Sequence, residues 1–341
     1  MKIDQLGEFG LIERIRQALP QGPVADVMMG IGDDVAVLRS GGERVWLVTC
    51  DVQVEGVHFL RDAITPQDLG RKALAINLSD IASSGGRPRF ALISLGLPKD
   101  LEVEFVDGLY QGLRAEAEPF GVSIVGGNIS SSRLGIFIDI TLLGDAPPKN
   151  ILLRAGAQVG DQILVTGSLG DAAAGVALLL DPGLTTSAEY GAFARLRRDT
   201  PTPRVREGEL IGAAHSANAM IDISDGLAGD LGHICESSSV GVRLFAQSLP
   251  VSKANRALSQ AVYDGDEWHF ALHGGENYEL LFTVPAAQAE ALAEQVTSAT
   301  GTPVTIIGEI VPLAQGQRLA LENGSSIPIQ PRGWDHFKEN K

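Results

Sequence analysis

Single aspartates recur where apolar segments end along this chain. They stand in GIGDDVAV at Gly30–Val37, VTCDVQVEGVHF at Val48–Phe59, NLSDIA at Asn77–Ala82 and IDISDG at Ile221–Gly226. A carboxylate beside apolar strand residues loses hydration unless positive charge meets it, and no Lys or Arg set lies next to these positions. The missing charge is expected to be a metal ion. A hard divalent cation such as magnesium takes oxygen ligands and is usually shared between a few aspartates and nucleotide phosphates, which points to ATP chemistry rather than zinc chemistry.

Asp222 and Asp225 flank the end of an apolar run and enter a helix near Leu227. Two carboxylates about 4 Å apart repel by roughly 4 kcal/mol at an intermediate dielectric, so a cation between them relieves strain. The competing reading is local: Ser224 or Asp225 as the N-cap of that helix. Asp51 is followed seven residues later by His58, and Asp80 follows Lys72 by two helical turns, where capping or a solvent-facing role competes with metal binding. The glycine pairs Gly126–Gly127 and Gly274–Gly275, and Gly167 with Gly170, are candidate phosphate-binding turns. No GxxxxGK[ST] occurs, and GIGDDV lacks the third glycine of a dinucleotide loop, so neither a P-loop nor a Rossmann enzyme is expected.

These residues need two folded units to carry them. The chain has 341 residues, 44% of them hydrophobic, enough for two cores. In the first half, strand-like runs at Val45–Thr49, Phe90–Leu95, Ser123–Val125 and Ile136–Leu143 alternate with helical stretches around Pro66–Ser83 and Leu101–Glu118. GDAPPKN at Gly144–Asn150 ends that half, because adjacent prolines continue neither a helix nor a central strand. The second half reads as strands at Gln162–Thr166, Met220–Ile223, Val240–Phe245, Tyr278–Val284 and Pro303–Ile310. Helices are expected at Ala172–Leu180, Pro203–Ser216, Leu227–Ser237 and Ala286–Ala299. The fold class is α+β. The net charge of −15 argues against nucleic acid as a partner, no apolar stretch reaches the roughly 20 residues of a membrane span, and the first residues lack a secretory core, so a cytoplasmic protein is expected. Cys50 and Cys235 are the only cysteines and form no zinc or disulfide pattern.

Together the motifs resemble the thiamine-monophosphate kinases of the aminoimidazole ribonucleotide synthetase superfamily over nearly the whole length. They are GEFGLIERI at Gly7–Ile15, GIGDDVAV, D-x-x-x-E-G-x-H-F at Asp51–Phe59, KALAINLSDIA at Lys72–Ala82, Gly126–Gly127, R-x-G-x-x-x-G-D at Arg154–Asp161, IDISDGLAGDLGHI at Ile221–Ile234, GGENYEL at Gly274–Leu280 and GWDHF at Gly333–Phe337. The resemblance implies a two-domain synthetase-like fold. Residues 1–148 would bind ATP and metal and dimerise through strands forming a barrel-like interface, and residues 149–341 would add phosphate, metal and substrate contacts. It implies magnesium at Asp34, Thr49, Cys50, Asp51, Asp80, Asn128, Asp222 and Asp225, nucleotide contacts from Gly127, Asn128, Arg154 and Ser224, and a thiamine-phosphate pocket with His58, Glu276 and Trp334, whose ring could stack on a heterocycle. The implied reaction moves the γ-phosphoryl group of ATP onto thiamine monophosphate in a homodimeric enzyme of thiamine diphosphate synthesis. An ionised phosphate oxygen attacks, so no covalent protein nucleophile is expected.

Three positions depart from the family pattern: Asn128 and Asn277 stand where aspartate is usual, and Cys50 where threonine is usual. Asn keeps a carbonyl oxygen but loses a charge, so weaker magnesium binding is expected there. A superfamily enzyme that activates an amide or carboxylate, and a nucleotide-binding homologue without turnover, are the alternative readings.

Overall fold

The computed structural model describes residues 3–19, 25–330, 334, 336 and 337. A six-stranded sheet is formed by β1 (Val27–Met29), β2 (Ala36–Arg39), β3 (Val45–Val54), β4 (Arg87–Leu97), β5 (Ser123–Ser131) and β6 (Phe137–Ala146), in the order β1-β2-β3-β6-β4-β5. It is antiparallel except for the β4/β5 pair. A seven-stranded sheet follows: β7 (Asp161–Thr166), β8 (Ala219–Asp222), β9 (Val240–Phe245), β10 (Leu280–Pro285), β11 (Val304–Pro312), β12 (Gln317–Ala320) and β13 (Ser326–Pro328), ordered β13-β12-β9-β11-β7-β10-β8.

Helices α1 (Ile3–Leu6) and α2 (Glu8–Ala18) precede the first sheet, and α3 (Pro66–Ser83) and α4 (Val103–Ala117) cover one of its faces. Then come α5 (Asp171–Leu180), α6 (Ala188–Asp199), α7 (Val205–Ala214), α8 (Leu227–Ser238), α9 (Lys253–Val262), α10 (His269–His273) and α11 (Ala286–Thr300). Among the described residues no helix is long and apolar enough to cross a membrane.

Helix α3 positions the site. Thr65 caps it by accepting the Asp68 N–H, and Pro66 supplies the fixed φ that suits a first helical turn. Leu69, Leu74, Leu78 and Ile81 are fully buried, each contributing roughly 1.5–3 kcal/mol of apolar burial. The helix touches strands of both sheets, so one core runs from Leu47 and Ile140 to Met220 and Phe282. Its crossing with α4 needs glycine: a Cβ on Gly112 would lie 1.9 Å from the Gln67 carbonyl oxygen.

The sequence places α3 at its observed bounds but ends β3 too early. Pairing with β6 runs from Val45 to Val54, so Asp51 lies inside the strand. Tyr278 is not in β10, because its φ of 52° is incompatible with a strand. Gly126–Gly127 form no turn; they lie within β5, where Gly127 at φ 154° passes so close to β4 that a Cβ would stand 1.7 Å from the Ile93 oxygen. The strands β1, β2, β12 and β13 and the helices α6, α9 and α10 were not anticipated; five of them have five residues or fewer, too short for a clear period.

Candidate active site

Alternation along β3 sends Thr49 and Asp51 toward α3, and Cys50 to the opposite face. The buried Thr49 hydroxyl donates to Asp80 at 2.5 Å, and the Asp51 N–H donates to the Asn77 side-chain oxygen at 3.2 Å. One helical turn beyond Asp80, Ser83 donates to Asp34 at 2.6 Å. Ser79 reaches across to the second sheet and donates to Asp222 at 2.6 Å. Asp34, Asp51, Asp80 and Asp222 therefore gather on α3 from four separate chain segments and both sheets.

Among the described residues one cation pairs with this group. Arg154 donates to Asp34 through Nε at 2.9 Å and through a terminal nitrogen, and its backbone N–H reaches Asp33 at 3.1 Å. The expectation of unpaired carboxylates is thus corrected at Asp34, whose partner lies 120 residues away in sequence. Elsewhere charge accumulates. Burial pushes Asp51 up to about 6, against a hydrogen bond from Asp80 and with added repulsion from Asp34. Burial and the Asp34 charge push Asp222 up to about 8, and Asp80 stands well above the usual range through burial and its neighbours Asp51 and Asp222. Among the described residues no three His, Cys, Asp or Glu side chains form a closed metal-holding group.

The end of β8 adds the next part. Gly226, not Ser224 or Asp225, occupies the N-cap of α8, with no side-chain cap, so the capping reading fails. Asp230, in the first turn of α8, accepts the N–H groups of Asp225 and Gly226, both at 3.1 Å. Glu276 lies over this turn: its N–H donates to the Ser224 carbonyl at 2.7 Å, and its Oε1 is 2.5 Å from Lys72 Nζ. The Trp334 N–H donates to the Asp225 carbonyl at 3.3 Å, which seats this partly exposed ring beside the same turn. Gly333 and Asp335 of the terminal motif lie outside the described residues.

His58 faces this second part. Its Nδ1 accepts the Val54 N–H at 3.0 Å, and its ring centre lies 4.9 Å from that of His336. Burial and the nearby His336 lower it to about 4, so it is neutral at neutral pH with its proton on Nε2.

Three expected residues stand apart. The Cys50 thiol points to Asp139 at 3.1 Å and Thr141 at 3.6 Å, away from the carboxylates, because adjacent strand residues face opposite sides. Gly127 and Asn128 lie on the sheet's edge strand. Register takes Asp51 to Ile140, Ile93 and then Gly127, three strand spacings or roughly 14 Å. Asn277 is buried, accepting the Gly170 N–H at 2.6 Å and donating to the Gly274 carbonyl at 2.7 Å, so it clasps two turns.

Sequence reasoning missed Asp33, Asn77, Ser79, Ser83, Asp230 and the role of Lys72. A signal existed for the α3 residues: Lys72, Asn77, Ser79 and Ser83 are buried polar positions, and Asn77 and Ser83 stand three residues on either side of Asp80, where helical spacing puts them near it. Arg154 carried no local sign of its partner.

Family models described as AIR synthase related protein match the chain, the N-terminal domain over residues 32–146 and the C-terminal domain over residues 158–318. The thiamine-monophosphate kinase of Aquifex aeolicus is 36% identical over 340 residues, covering 99% of this chain and 100% of the relative. That of Bacillus subtilis is 33% identical over 335 residues, covering 98% and 100%. A solved structure described as AaThiL complexed with AMPPCP and TMP superposes with a TM-score of 0.83 at 36% identity, covering 98% of this chain and 99% of the other. The fold extends further, to a HypE–HypF complex at 20% identity with a TM-score of 0.76, covering 94% and 99%.

Proposed function

Since the chain belongs to the AIR synthase related family, and within it to the thiamine-monophosphate kinases that it matches over nearly their full length, we propose that it transfers the γ-phosphoryl group of ATP to thiamine monophosphate. The convergence of Asp34, Asp51, Asp80 and Asp222 on α3 carries this reading. It is a crowd of oxygen donors whose charges oppose one another, answered among the described residues by the Arg154 guanidinium.

The donor set fits a hard divalent cation. Asp34, Asp51, Asp80, Asp222 and Asp225, with the Thr49 hydroxyl, would hold magnesium, which supplies positive charge between the two phosphate groups. Magnesium keeps several ligand places for water and substrate phosphate, so these side chains need not enclose it. An oxygen of the acceptor phosphate attacks the γ-phosphorus while the bond to the ADP oxygen breaks, and the electron pair leaves with ADP. No proton has to be removed from the nucleophile, so the chain needs no general base and no covalent nucleophile.

The protein's own work is alignment. Arg154, anchored by Asp34 and Asp33, places a cation beside the nucleotide phosphates, and Ser224 joins it at the strand end. Neutral His58 offers its Nε2 proton and the Trp334 ring an aromatic face to thiamine monophosphate. Glu276 offers an anion to its positively charged thiazolium ring.

A homodimer belongs to this reading. The face of the first sheet opposite α3 exposes Phe90, Leu92 and Phe137, each about 40% exposed, and a second copy would cover them. Gly127 and Asn128 lie at the rim of that face, so their contact with nucleotide is expected at the junction of two subunits. Residues 1–148 would then supply the metal and dimer surfaces, and residues 149–341 the phosphate and acceptor contacts, in a cytoplasmic enzyme.

The deciding measurement is ADP release with thiamine monophosphate, with thiamine, and with no acceptor. Release only with thiamine monophosphate is expected. Equal release with all three, or none with any, rejects the kinase.

A further inference from the structure

Lys72 has no place in the chemistry above, yet it is 2% exposed. Burying an ammonium costs several kcal/mol unless an anion meets it. Its partner is Glu276, 2.5 Å away. The two sit on contrasting supports. Lys72 projects from the second turn of α3, the most enclosed helix of the first sheet. Glu276 rides on a loop that follows two glycines. Its φ is 61°, and the loop's backbone is held by bonds from Glu276 N–H to Ser224 at 2.7 Å and from Tyr278 N–H to Ile223 at 2.8 Å and by the buried Asn277 side chain, none of which touches the Glu276 carboxylate.

The Glu276 side chain is 26% exposed, whereas that of Lys72 is 3% exposed. The carboxylate therefore has an inner side, gripped through Oε1 by a cation on a rigid helix, and an outer side open to solvent. His58 stands close enough to feel both groups, Glu276 favouring its charged form and Lys72 opposing it. Without the ammonium, a glutamate on a glycine-rich loop has several rotamers to choose from and no reason to keep one.

We infer that Lys72 is a positioning residue for the acceptor: it fixes Glu276 so that the free carboxylate oxygen meets the cationic ring of thiamine monophosphate. This rests on the function proposed above. Lys72 acts through Glu276 and makes no contact with the nucleotide.

The test is a mutant cycle of Lys72→Met, Glu276→Gln and the double variant. It is read by steady-state kinetics with thiamine monophosphate and by calorimetric binding of a non-hydrolysable ATP analogue. Lys72→Met is expected to raise KM for thiamine monophosphate about tenfold or more while ATP-analogue affinity stays within about twofold. The double variant should be no worse than Glu276→Gln, because residues acting as a unit are non-additive. Additive losses overturn the inference, since Lys72 would then act independently of Glu276. Equal losses of nucleotide and acceptor binding with a fall in Tm overturn it too, because they describe a structural prop. Should Lys72→Met misfold, Lys72→Gln takes its place in the cycle with the same readings. Absence of ADP release by the wild-type protein would strike the proposed kinase itself, whereas normal wild-type turnover with an additive cycle strikes only the role of Lys72.

Discussion

Glu279 is fully buried, and both of its oxygens are satisfied. Arg204 donates to it twice at 2.6 Å, Arg197 once at 2.8 Å and the Thr166 hydroxyl at 2.7 Å. Asp51, Asp80 and Asp222 are enclosed as well, but their neighbours are hydroxyls, an amide and one another. The first carboxylate ties α6, the start of α7, β7 and β10 together, and its charge is cancelled on the spot. The second group keeps its charge uncancelled at the meeting of two sheets. Burial alone thus says little about what an acidic side chain is for. What separates a rivet from a binding site is whether the protein itself supplies the opposite charge.

The widest gap between the two regions should appear in Asp222→Asn. Asparagine still accepts the Ser79 hydroxyl, so the fold keeps its bond and is spared the repulsion that Asp222 meets when it ionises. Turnover with thiamine monophosphate should fall about 10³-fold or more while Tm holds or rises. A variant that loses stability but keeps its rate would turn Asp222 into another Glu279. Glu279→Gln should do the reverse. Leaving Arg197 and Arg204 without their anion is expected to cost about 3–5 kcal/mol in chemical denaturation, with kcat at low temperature changed only a few-fold. An unchanged denaturation midpoint would dissolve the contrast.

Stability against pH sharpens the same comparison. Asp222, pushed from 3.8 up to about 8, holds in the folded chain a proton that the unfolded chain has already released. The folded state binds more protons, so stability falls as pH rises toward about 8. Below pH 6.5 the histidines His58 and His233, both lowered to about 4 chiefly by burial, work in the opposite sense, because the unfolded chain then binds their protons. The clean window is therefore pH 6.5 to 8. In metal-free buffer, Tm of the wild-type protein should decline across it, and Asp222→Asn should decline less. A flat wild-type profile would mean that the carboxylates do not strain one another.

The sequence exposed this contrast only in part. Asp34, Asp51, Asp80 and Asp222 could be singled out because carboxylates beside apolar runs break the pattern around them, and α3 was readable to its ends because Thr65–Pro66 and a long buried stretch mark it. GGENYEL, by contrast, holds both Glu276 and Glu279, three residues apart, and nothing local says that one reaches solvent and the other the core. The deciding partners, Lys72 for one and Arg197 with Arg204 for the other, are set by packing between distant segments. Gly126–Gly127 failed for a related reason. A glycine needed for close passage between strands reads like a glycine needed for a turn, since the atom it must avoid belongs to Ile93 on another strand.

Asn128 offers the smallest and most discriminating change. Within one chain it sits on an edge strand, roughly 14 Å from Asp51 by strand spacing. At that distance a new carboxylate and a divalent ion attract by no more than about 0.6 kcal/mol in water, less than a threefold effect. Asn128→Asp should therefore shift the magnesium concentration for half-maximal activity only slightly if the carboxylates around α3 hold the ion unaided. A shift of tenfold or more would require residue 128 to approach the ion directly. A second subunit could bring it there, since Asn128 stands at the rim of the exposed apolar face. Measuring the magnesium dependence of Asn128→Asp together with the molecular mass in solution separates the two cases. A large shift in a dimer extends the charge-rich region across the subunit boundary, and a large shift in a monomer contradicts the strand register from which the distance follows.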